Sequence, residues 1–124
     1  MVMIDLSPIP AVPRMHYYGH ENSRDYMVME LLTGEDMASL RDRVRQNTNN
    51  NNLIPLEISS FLTRQMIQSL QAMHRIGYVH RDVKPSNFVR RSRNSTEFCM
   101  IDFGLAKKVL LLTSECYLLF VICY

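Results

Sequence analysis

Two stretches of the chain repeat apolar residues at helical spacing. Residues 58–73 place their apolar side chains on one stripe, Pro55 can occupy the first turn before it, and Gly77 can supply a left-handed stop after it. A shorter amphipathic helix is predicted over residues 35–46. The asparagine-rich residues 47–52 have little capacity for burial and are expected to form a solvated loop. The pattern therefore predicts two helices joined by a polar loop.

The β-rich positions form a second pattern. Residues 12–18 and 25–31 are separated by a polar, turn-prone stretch that Gly19 opens, which predicts an antiparallel hairpin. The second of these runs is nearly all apolar, so it is expected to be buried. Three short β-like pieces follow the long helix, at residues 78–80, 88–90 and 97–101. Pieces this short need a larger scaffold to be stable.

Composition names no function. The chain has 124 residues, a formal net charge of +2, 47% hydrophobic residues and 21% charged residues, which is ordinary for a globular protein. The small net charge gives no reason to expect a nucleic-acid partner. Three cysteines without metal-ligand spacing, and an N-terminus without a secretory pattern, favour an intracellular location, cytoplasmic or nuclear.

The informative string is HRDVKPSN at residues 80–87, followed fifteen residues after Asn87 by Asp102-Phe103-Gly104. Its residue types, order and separation match the protein-kinase signature H-R-D-x-K-P-x-N and D-F-G. Either half alone is a moderate signal, but both in the correct order are hard to explain by coincidence. The chain therefore resembles the eukaryotic protein kinase family.

The resemblance implies ATP and Mg²⁺ as cofactors and a protein as the substrate. Asp82 would accept the proton of the attacking hydroxyl, and Lys84 would face the γ-phosphate as it does in Ser/Thr kinases. Asn87 and Asp102 would hold the magnesium ions through their oxygen atoms. Ser or Thr is therefore the expected phosphate acceptor.

The resemblance also implies an adenine pocket. In the segment YMVMELL, Met29 would be the gatekeeper, and the backbone of Glu30 and Leu32 would read the adenine edge. Val89 and Ile101 would supply the apolar floor and back of the pocket. An adenine held between aliphatic faces is chemically sensible.

Three further residues next to these motifs have alternative explanations. Asp36, or Glu35 beside it, is placed to meet the ribose, but either could equally be an acidic residue at a helix N-terminus. The family resemblance places the ring of His80 under Phe103, which favours a packing role over a general base. Arg81 keeps an open role, and bracing of the loop is the simplest one.

Within the kinases, the strings VPRMHYYGHE, YMVMELL and HRDVKPSNF are most similar to the casein kinase I superfamily and its tau-tubulin kinase branch. The similarity covers residues 12–108. It implies an incomplete kinase-like α+β fold, consisting of the end of the small lobe with the hinge, and the first helices and catalytic loop of the large lobe.

Other kinase elements have no counterpart in the sequence. Its four glycines are spaced at 15 residues or more, so no G-x-G-x-x-G occurs. Its lysines are Lys84, Lys107 and Lys108, and none precedes the catalytic loop. A truncated kinase domain that is inactive alone is therefore expected, and the alternative is a catalytically dead kinase-like binding module.

The two ends of the chain are predicted to differ from the kinase-like part. Residues 1–11 have no certain assignment, and residues 109–124 form an apolar tail expected to lie outside the kinase fold. A tail-anchored membrane fragment is a third hypothesis, but a span needs about 20 apolar residues and this tail contains Glu115. A membrane is therefore not the expected partner. The basic loop at residues 90–96 is expected to be merely solvated, and nothing indicates an oligomeric state.

Overall fold

The computed structural model describes residues 2–47 and 53–109. Its helices are Val2–Leu6 (α1), Met37–Asn47 (α2) and Leu56–Arg75 (α3), with a 3-10 turn at Pro85–Asn87. Its strands are Met15–Glu21 (β1), Arg24–Met29 (β2), Tyr78–Val79 (β3), Phe88–Arg90 (β4), Phe98–Met100 (β5) and Lys107–Lys108 (β6). This mixture of helices and strands is the α+β arrangement that the sequence predicts.

The long helix α3 is confirmed by the structure. It has 20 residues, begins directly after Pro55 and buries Leu62, Leu70 and Met73 on one face. Gly77 follows with a φ of 82°, and its N–H donates to the carbonyl of His74 at 2.9 Å. A left-handed glycine that satisfies a C-terminal carbonyl is a common way to end a helix.

Helix α2 begins two residues later than predicted because Asp36 caps it. Its Oδ1 accepts the N–H groups of Ala38 at 2.8 Å and Ser39 at 2.9 Å, which satisfies donors that the first turn leaves free. The helix includes Asn47, the first residue of the predicted polar loop. The rest of that loop, residues 48–52, lies outside the described residues.

The β1–β2 hairpin is present, but its turn lies further along the chain than predicted. Gly19 is inside β1 and pairs with Tyr26, whereas the turn is made by Asn22 and Ser23. These two residues have φ values of 49° and 61°, the positive values that a type I′ turn requires. The sequence interpretation was wrong about Gly19 because a glycine signals close packing as readily as a turn.

The expectation that the second strand is buried is also wrong. All six residues of β2 are exposed, including Val28 and Met29. Within the described residues the sheet has two strands, β1 and β2, so no further strand or covering layer buries its apolar side chains. Apolar composition predicts burial only where another element packs on the strand.

The core lies between the helices and the short strands. Phe88 of β4 and Met100 of β5 are fully buried and stand opposite each other in this antiparallel pair. Buried Met3 and Leu6 of α1 belong to the same hydrophobic cluster as Met73 of α3. Helix α1, which lies in the unassigned residues 1–11, therefore contributes to the hydrophobic core.

The apolar tail is nearly all outside the described range. Residue 109 is described, but residues 110–124 are not. None of the helices in residues 2–47 and 53–109 is long and apolar enough to cross a membrane.

Candidate active site

Residues 80–87 form a loop that His80 anchors to the segment containing Asp102. The His80 side chain is buried, and its Nε2 lies 3.0 Å from the carbonyl oxygen of Ile101. Its ring centroid lies 5.4 Å from that of Phe103. The ring therefore packs against Phe103 as the sequence predicts, and it joins the two signature motifs.

Arg81 braces the same two segments, which is the simplest of the roles considered from the sequence. Its Nε donates to the carbonyl of Leu105 at 2.6 Å. Its φ is 66°, a left-handed value that is uncommon outside glycine. The surrounding contacts must offset the cost of this conformation, so the loop holds a defined shape.

Asp82 is the centre of a hydrogen-bonded cluster within the loop. Lys84 Nζ lies 2.6 Å from Asp82 Oδ2. The buried amide of Asn87 donates to the Asp82 backbone carbonyl at 2.8 Å and to Oδ2 at 3.0 Å. The N–H of Asn87 also donates to the carbonyl of Lys84 at 2.9 Å. Two other residues of the signature motif, Lys84 and Asn87, therefore contact the carboxylate of Asp82.

The electrostatics of the cluster favour its ionised form. The hydrogen bond from Lys84, followed by that from Asn87, lowers the pKa of Asp82 below its ordinary value. The hydrogen bond to Asp82 raises the pKa of Lys84 in turn. A carboxylate and an ammonium therefore face each other at neutral pH, and the Asp82 carboxylate is available as a proton acceptor.

Strands β4 and β5 bring Asn87 and Asp102 to the same end of a two-stranded ladder. Phe88 pairs with Met100, and the N–H of Ile101 donates to the carbonyl of Asn87 at 2.9 Å. Asp102 follows at once, with an exposed side chain and a φ of 63°. The ladder therefore places Asp102 directly after the residue whose N–H bonds to the backbone of Asn87.

The donor set of these two residues suits magnesium. Asn87 uses its amide nitrogen on Asp82, which leaves its carbonyl oxygen free for a cation, and Asp102 offers an exposed carboxylate. The described residues contain no group of three or more His, Cys, Asp or Glu that could hold a metal. Two protein oxygens completed by phosphate and water oxygens are typical of a magnesium site that binds with a nucleotide.

Met29 and Glu30, which the family resemblance assigns to the hinge, lie at the end of the hairpin. Met29 lines a cavity of about 350 Å³ together with Ile101 and Asp102. The Glu30 side chain is ion-paired with Arg91, while its backbone N–H donates to the carbonyl of Arg14 at 2.8 Å. The structure therefore brings Met29 and Ile101 to one cavity, whereas the Glu30 side chain belongs to a separate ion pair.

The remaining residues predicted at the nucleotide site are Leu32, Asp36 and Val89. Leu32 and Val89 are half-buried, and Asp36 forms an isolated antiparallel bridge with Val89. The Asp36 carboxylate is used as the cap of α2, and its Oδ2 also accepts the Ser39 hydroxyl at 2.6 Å. Burial acts to raise the pKa of Asp36, but these hydrogen bonds outweigh it, so the pKa is lowered. The helix-terminal role considered from the sequence is therefore present.

The sequence interpretation missed the role of Arg91. Its guanidinium pairs with Glu30 in the hinge and with Glu97 at 3.3 Å, and it donates to the carbonyl of Pro10 at 2.6 Å. One side chain thus joins three segments that lie far apart in the chain. No local pattern could have found it, because Glu30 and Arg91 are 61 positions apart.

Comparison with known proteins adds an independent observation. A sequence model described as the protein kinase domain matches residues 1–118. The chain is 42% identical over 117 residues to a probable serine/threonine-protein kinase of Dictyostelium discoideum, covering 92% of this chain and 22% of that protein. It is 35% identical over 100 residues to a probable myosin light chain kinase of the same organism, covering 81% of this chain and 30% of that one.

A more distant relative is similar over the same region. The chain is 29% identical over 107 residues to human citron Rho-interacting kinase, covering 86% of this chain and 5% of that protein. The chain thus spans less than a third of the length of each of these relatives.

Proposed function

This chain belongs to the protein kinase domain family, and on that premise we propose that it is part of an enzyme that transfers the γ-phosphoryl group of ATP to Ser or Thr of a protein substrate. The names of two relatives, a serine/threonine-protein kinase and a myosin light chain kinase, support this class of activity.

One observation supports the proposal most strongly. The Asp82 carboxylate lies 2.6 Å from Lys84 Nζ and 3.0 Å from the Asn87 amide nitrogen, in a loop braced to the Asp102 segment. Phosphoryl transfer needs a positioned proton acceptor and nearby positive charge, because negative charge is spread over the phosphoryl oxygens in the transition state. This cluster provides both.

We assign each residue a distinct role. Asp82 orients the acceptor hydroxyl and accepts its proton, and Lys84 stabilises charge on the γ-phosphate. Asn87 and Asp102 would hold Mg²⁺ through oxygen atoms, and a bound Mg²⁺ would supply positive charge to the phosphates. Adenine would lie against Met29, Val89 and Ile101 with the backbone of Glu30 and Leu32 at its edge, and Asp36 would lie near the ribose.

We also propose a narrower family for the chain and bounds for its kinase fold. We place the chain in the casein kinase I superfamily, near the tau-tubulin kinases, on the strings VPRMHYYGHE, YMVMELL and HRDVKPSNF. We assign residues 12–108 to the kinase fold and leave the apolar residues 109–124 outside it. The proposed enzyme acts inside the cell on protein, and neither nucleic acid nor a membrane is a proposed partner.

The test compares two substitutions in a kinase domain that contains this segment together with a Gly-rich loop. Asp82→Asn removes the proton acceptor, so turnover should fall by about 10²–10⁴-fold while ATP binding is nearly unchanged. Asp102→Asn removes a charged metal ligand, so both turnover and Mg²⁺-dependent ATP binding should fall, and added Mg²⁺ should partly restore them. ATP binding is titrated against Mg²⁺ for both variants.

Asp42→Asn is the matched control, because Asp42 is an exposed residue of α2 whose pairing is with Arg41. It should leave turnover and ATP binding unchanged. The division of roles is wrong if Asp82→Asn weakens Mg²⁺-dependent ATP binding as much as Asp102→Asn does.

A catalytically inactive kinase-like binding fragment is the second candidate. The observation in its favour is that the sequence contains no G-x-G-x-x-G and no lysine before Lys84. Sequencing the transcript across both ends separates the two candidates, because an active kinase requires an upstream segment that encodes the Gly-rich loop.

A further inference from the structure

A second cavity has a lining that includes none of the residues of the proposed catalytic cluster. Its volume is about 480 Å³, and none of its lining residues is shared with the cavity that contains Met29 and Asp102. The lining comprises three residues that follow the hinge and three arginines: Thr33, Gly34, Glu35, Arg43, Arg90 and Arg93. No role has been given to this cavity by the proposed kinase function.

Backbone hydrogen bonds fix one wall of this arginine cavity. The N–H of Gly34 donates to the carbonyl of Arg90 at 3.2 Å, and the N–H of Arg90 donates to the carbonyl of Glu35 at 2.9 Å. A Cβ atom added at Gly34 would lie 2.5 Å from the Cβ of Arg90 and 2.6 Å from its carbonyl oxygen. The hinge-following segment, residues 33–35, therefore packs closely against β4. The backbone positions of Glu35 and Arg90 are set before any ligand binds.

The charges around the cavity do not balance. The lining contains three arginines and one carboxylate, that of Glu35, so its net charge is +2. Glu35 pairs with Arg43, whose Nε lies 3.1 Å from Oε2, and is 3.5 Å from Arg90 Nη2. Arg93 is exposed, and no carboxylate within residues 2–47 and 53–109 pairs with it. Arg43 and Arg90 therefore share one carboxylate, and the lining keeps an excess of positive charge.

Arg90 also has hydrogen-bonding capacity that its neighbours do not use. Its Nε is buried and has no acceptor within the described residues, while its guanidinium lies 5.5 Å from the centre of the Phe98 ring. A buried donor without an acceptor is costly in a folded protein. One arginine of the lining thus has a donor that the described residues leave unsatisfied.

We propose that the arginine cavity binds the phosphate group of a phosphorylated Ser or Thr side chain in a peptide. Such a phosphate has a charge of roughly −1.5 to −2 near neutral pH, which matches the excess of +2, and arginine forks bind phosphate oxygens in pairs. A nucleic acid would need an extended basic stripe with several phosphate contacts rather than one compact cluster. The proposal assigns the basic loop a binding role that the sequence interpretation did not expect.

The test measures binding of a fluorescein-labelled peptide with one phosphoserine to the full-length protein by fluorescence anisotropy. The unphosphorylated peptide should bind at least about tenfold more weakly, because charge-assisted hydrogen bonds to the phosphate are lost. Inorganic phosphate in excess should compete, which identifies the phosphate group as the recognised chemistry. ATP with Mg²⁺ should not compete, because nucleotide binding is proposed at the other cavity.

Two substitutions should change the affinity in opposite directions. Arg93→Gln should weaken binding of the phosphopeptide by about three- to tenfold, since a charged donor is lost at an exposed position. Glu35→Gln should strengthen it severalfold, because the competing carboxylate is removed and the net charge rises. Arg64→Gln, at an exposed position of α3, is the matched control and should change the affinity less than twofold.

Circular dichroism of each variant checks that the fold is retained. Arg93 is exposed and unpaired among the described residues, so its substitution leaves the folded contacts intact. The proposal is overturned if Arg93→Gln and Arg64→Gln behave alike, or if both peptides bind equally. Competition by ATP with Mg²⁺, or tighter Arg93-dependent binding of a single-stranded RNA than of the phosphopeptide, would also overturn it.

Discussion

The carboxylate of Asp82 accepts hydrogen bonds from two side chains of its own loop, and this arrangement decides its charge. Lys84 and Asn87 both favour the ionised form, so the pKa of Asp82 is lowered. Because its pKa is lowered, the Asp82 side chain is fully ionised above the ordinary pKa of an aspartate. It is protonated only when the pH falls through the lowered pKa. Asp82, the proposed proton acceptor, is thus ionised throughout the neutral range.

Lys84→Met tests this electrostatic coupling. Removing the ammonium should raise the pKa of Asp82 towards its ordinary value of 3.8, because the largest cause of the lowering is the Lys84 hydrogen bond. Turnover of the complete kinase domain should fall by about 10²-fold or more, since positive charge near the γ-phosphate is lost. An NMR titration of the Asp82 carboxyl carbon measures the pKa.

Lys107→Met is the control for that titration. Lys107 is an exposed residue of β6, and none of the causes that lower the pKa of Asp82 involves it. An Asp82 pKa that responds equally to both substitutions would show that general charge, rather than the Lys84 contact, sets its value.

At this scale the sequence predicted which residues meet, but not all of their contacts. The spacing of Asp82, Lys84 and Asn87 is fixed by one short loop, so a motif describes it well. Asp36 was predicted at the ribose or at a helix N-terminus, and the second position is the one observed. Arg91 was missed because its partners are distant in sequence and only the folded chain brings them together.

Among the elements, α3 was the most predictable and the hairpin the least. The twenty-residue helix repeats its apolar stripe over several turns, and Gly77 follows its C-terminus. Many positions therefore indicate the same helix. The hairpin turn depends on two residues, Asn22 and Ser23, with positive φ, a weak signal in a polar stretch. A Cβ atom at Gly19 would lie 2.4 Å from the Tyr26 ring, so this glycine permits cross-strand packing.

Gly34→Ala tests the tight crossing between the hinge-following segment and β4. The new Cβ would overlap Arg90 backbone atoms that cannot move without breaking the 3.2 Å and 2.9 Å hydrogen bonds between the two segments. We expect the free energy of unfolding of the complete kinase domain to fall by about 2–3 kcal/mol. Urea denaturation followed by circular dichroism measures it.

Two other glycines provide controls for that measurement. Gly77→Ala should cost about 1–2 kcal/mol, because its φ of 82° is left-handed. Gly104→Ala should cost less, because the nearest atom to its new Cβ is a side-chain oxygen at 3.3 Å. If Gly34→Ala is no more destabilising than Gly104→Ala, the crossing is not tight.

Across the whole molecule, much apolar surface remains exposed on the described residues. Leu31 is 80% exposed, Leu56 is 78% exposed and Tyr17 is 57% exposed, and these residues lie in or beside the hinge, α3 and β1. Exposed apolar area of this kind marks contact surfaces in larger assemblies. The chain also spans less than a third of the length of the relatives it matches.

Residues 1–124 alone are expected to transfer no phosphate, and this prediction depends on sequence content. Kinases bring a Gly-rich loop and a lysine to the α- and β-phosphates, whereas the lysines here are Lys84, Lys107 and Lys108. Lys84 is engaged with Asp82 and Lys108 with Asp5, so neither is available to replace the missing lysine. The catalytic cluster would then have its proton acceptor without the contacts that hold ATP in line, and the rate should fall by several orders of magnitude. Transfer of labelled phosphate to casein is measured for residues 1–124, with a longer protein that includes a Gly-rich loop as the positive control and Asp82→Asn of that protein as the negative control. Incorporation by residues 1–124 above the Asp82→Asn level would show that this segment positions ATP by itself.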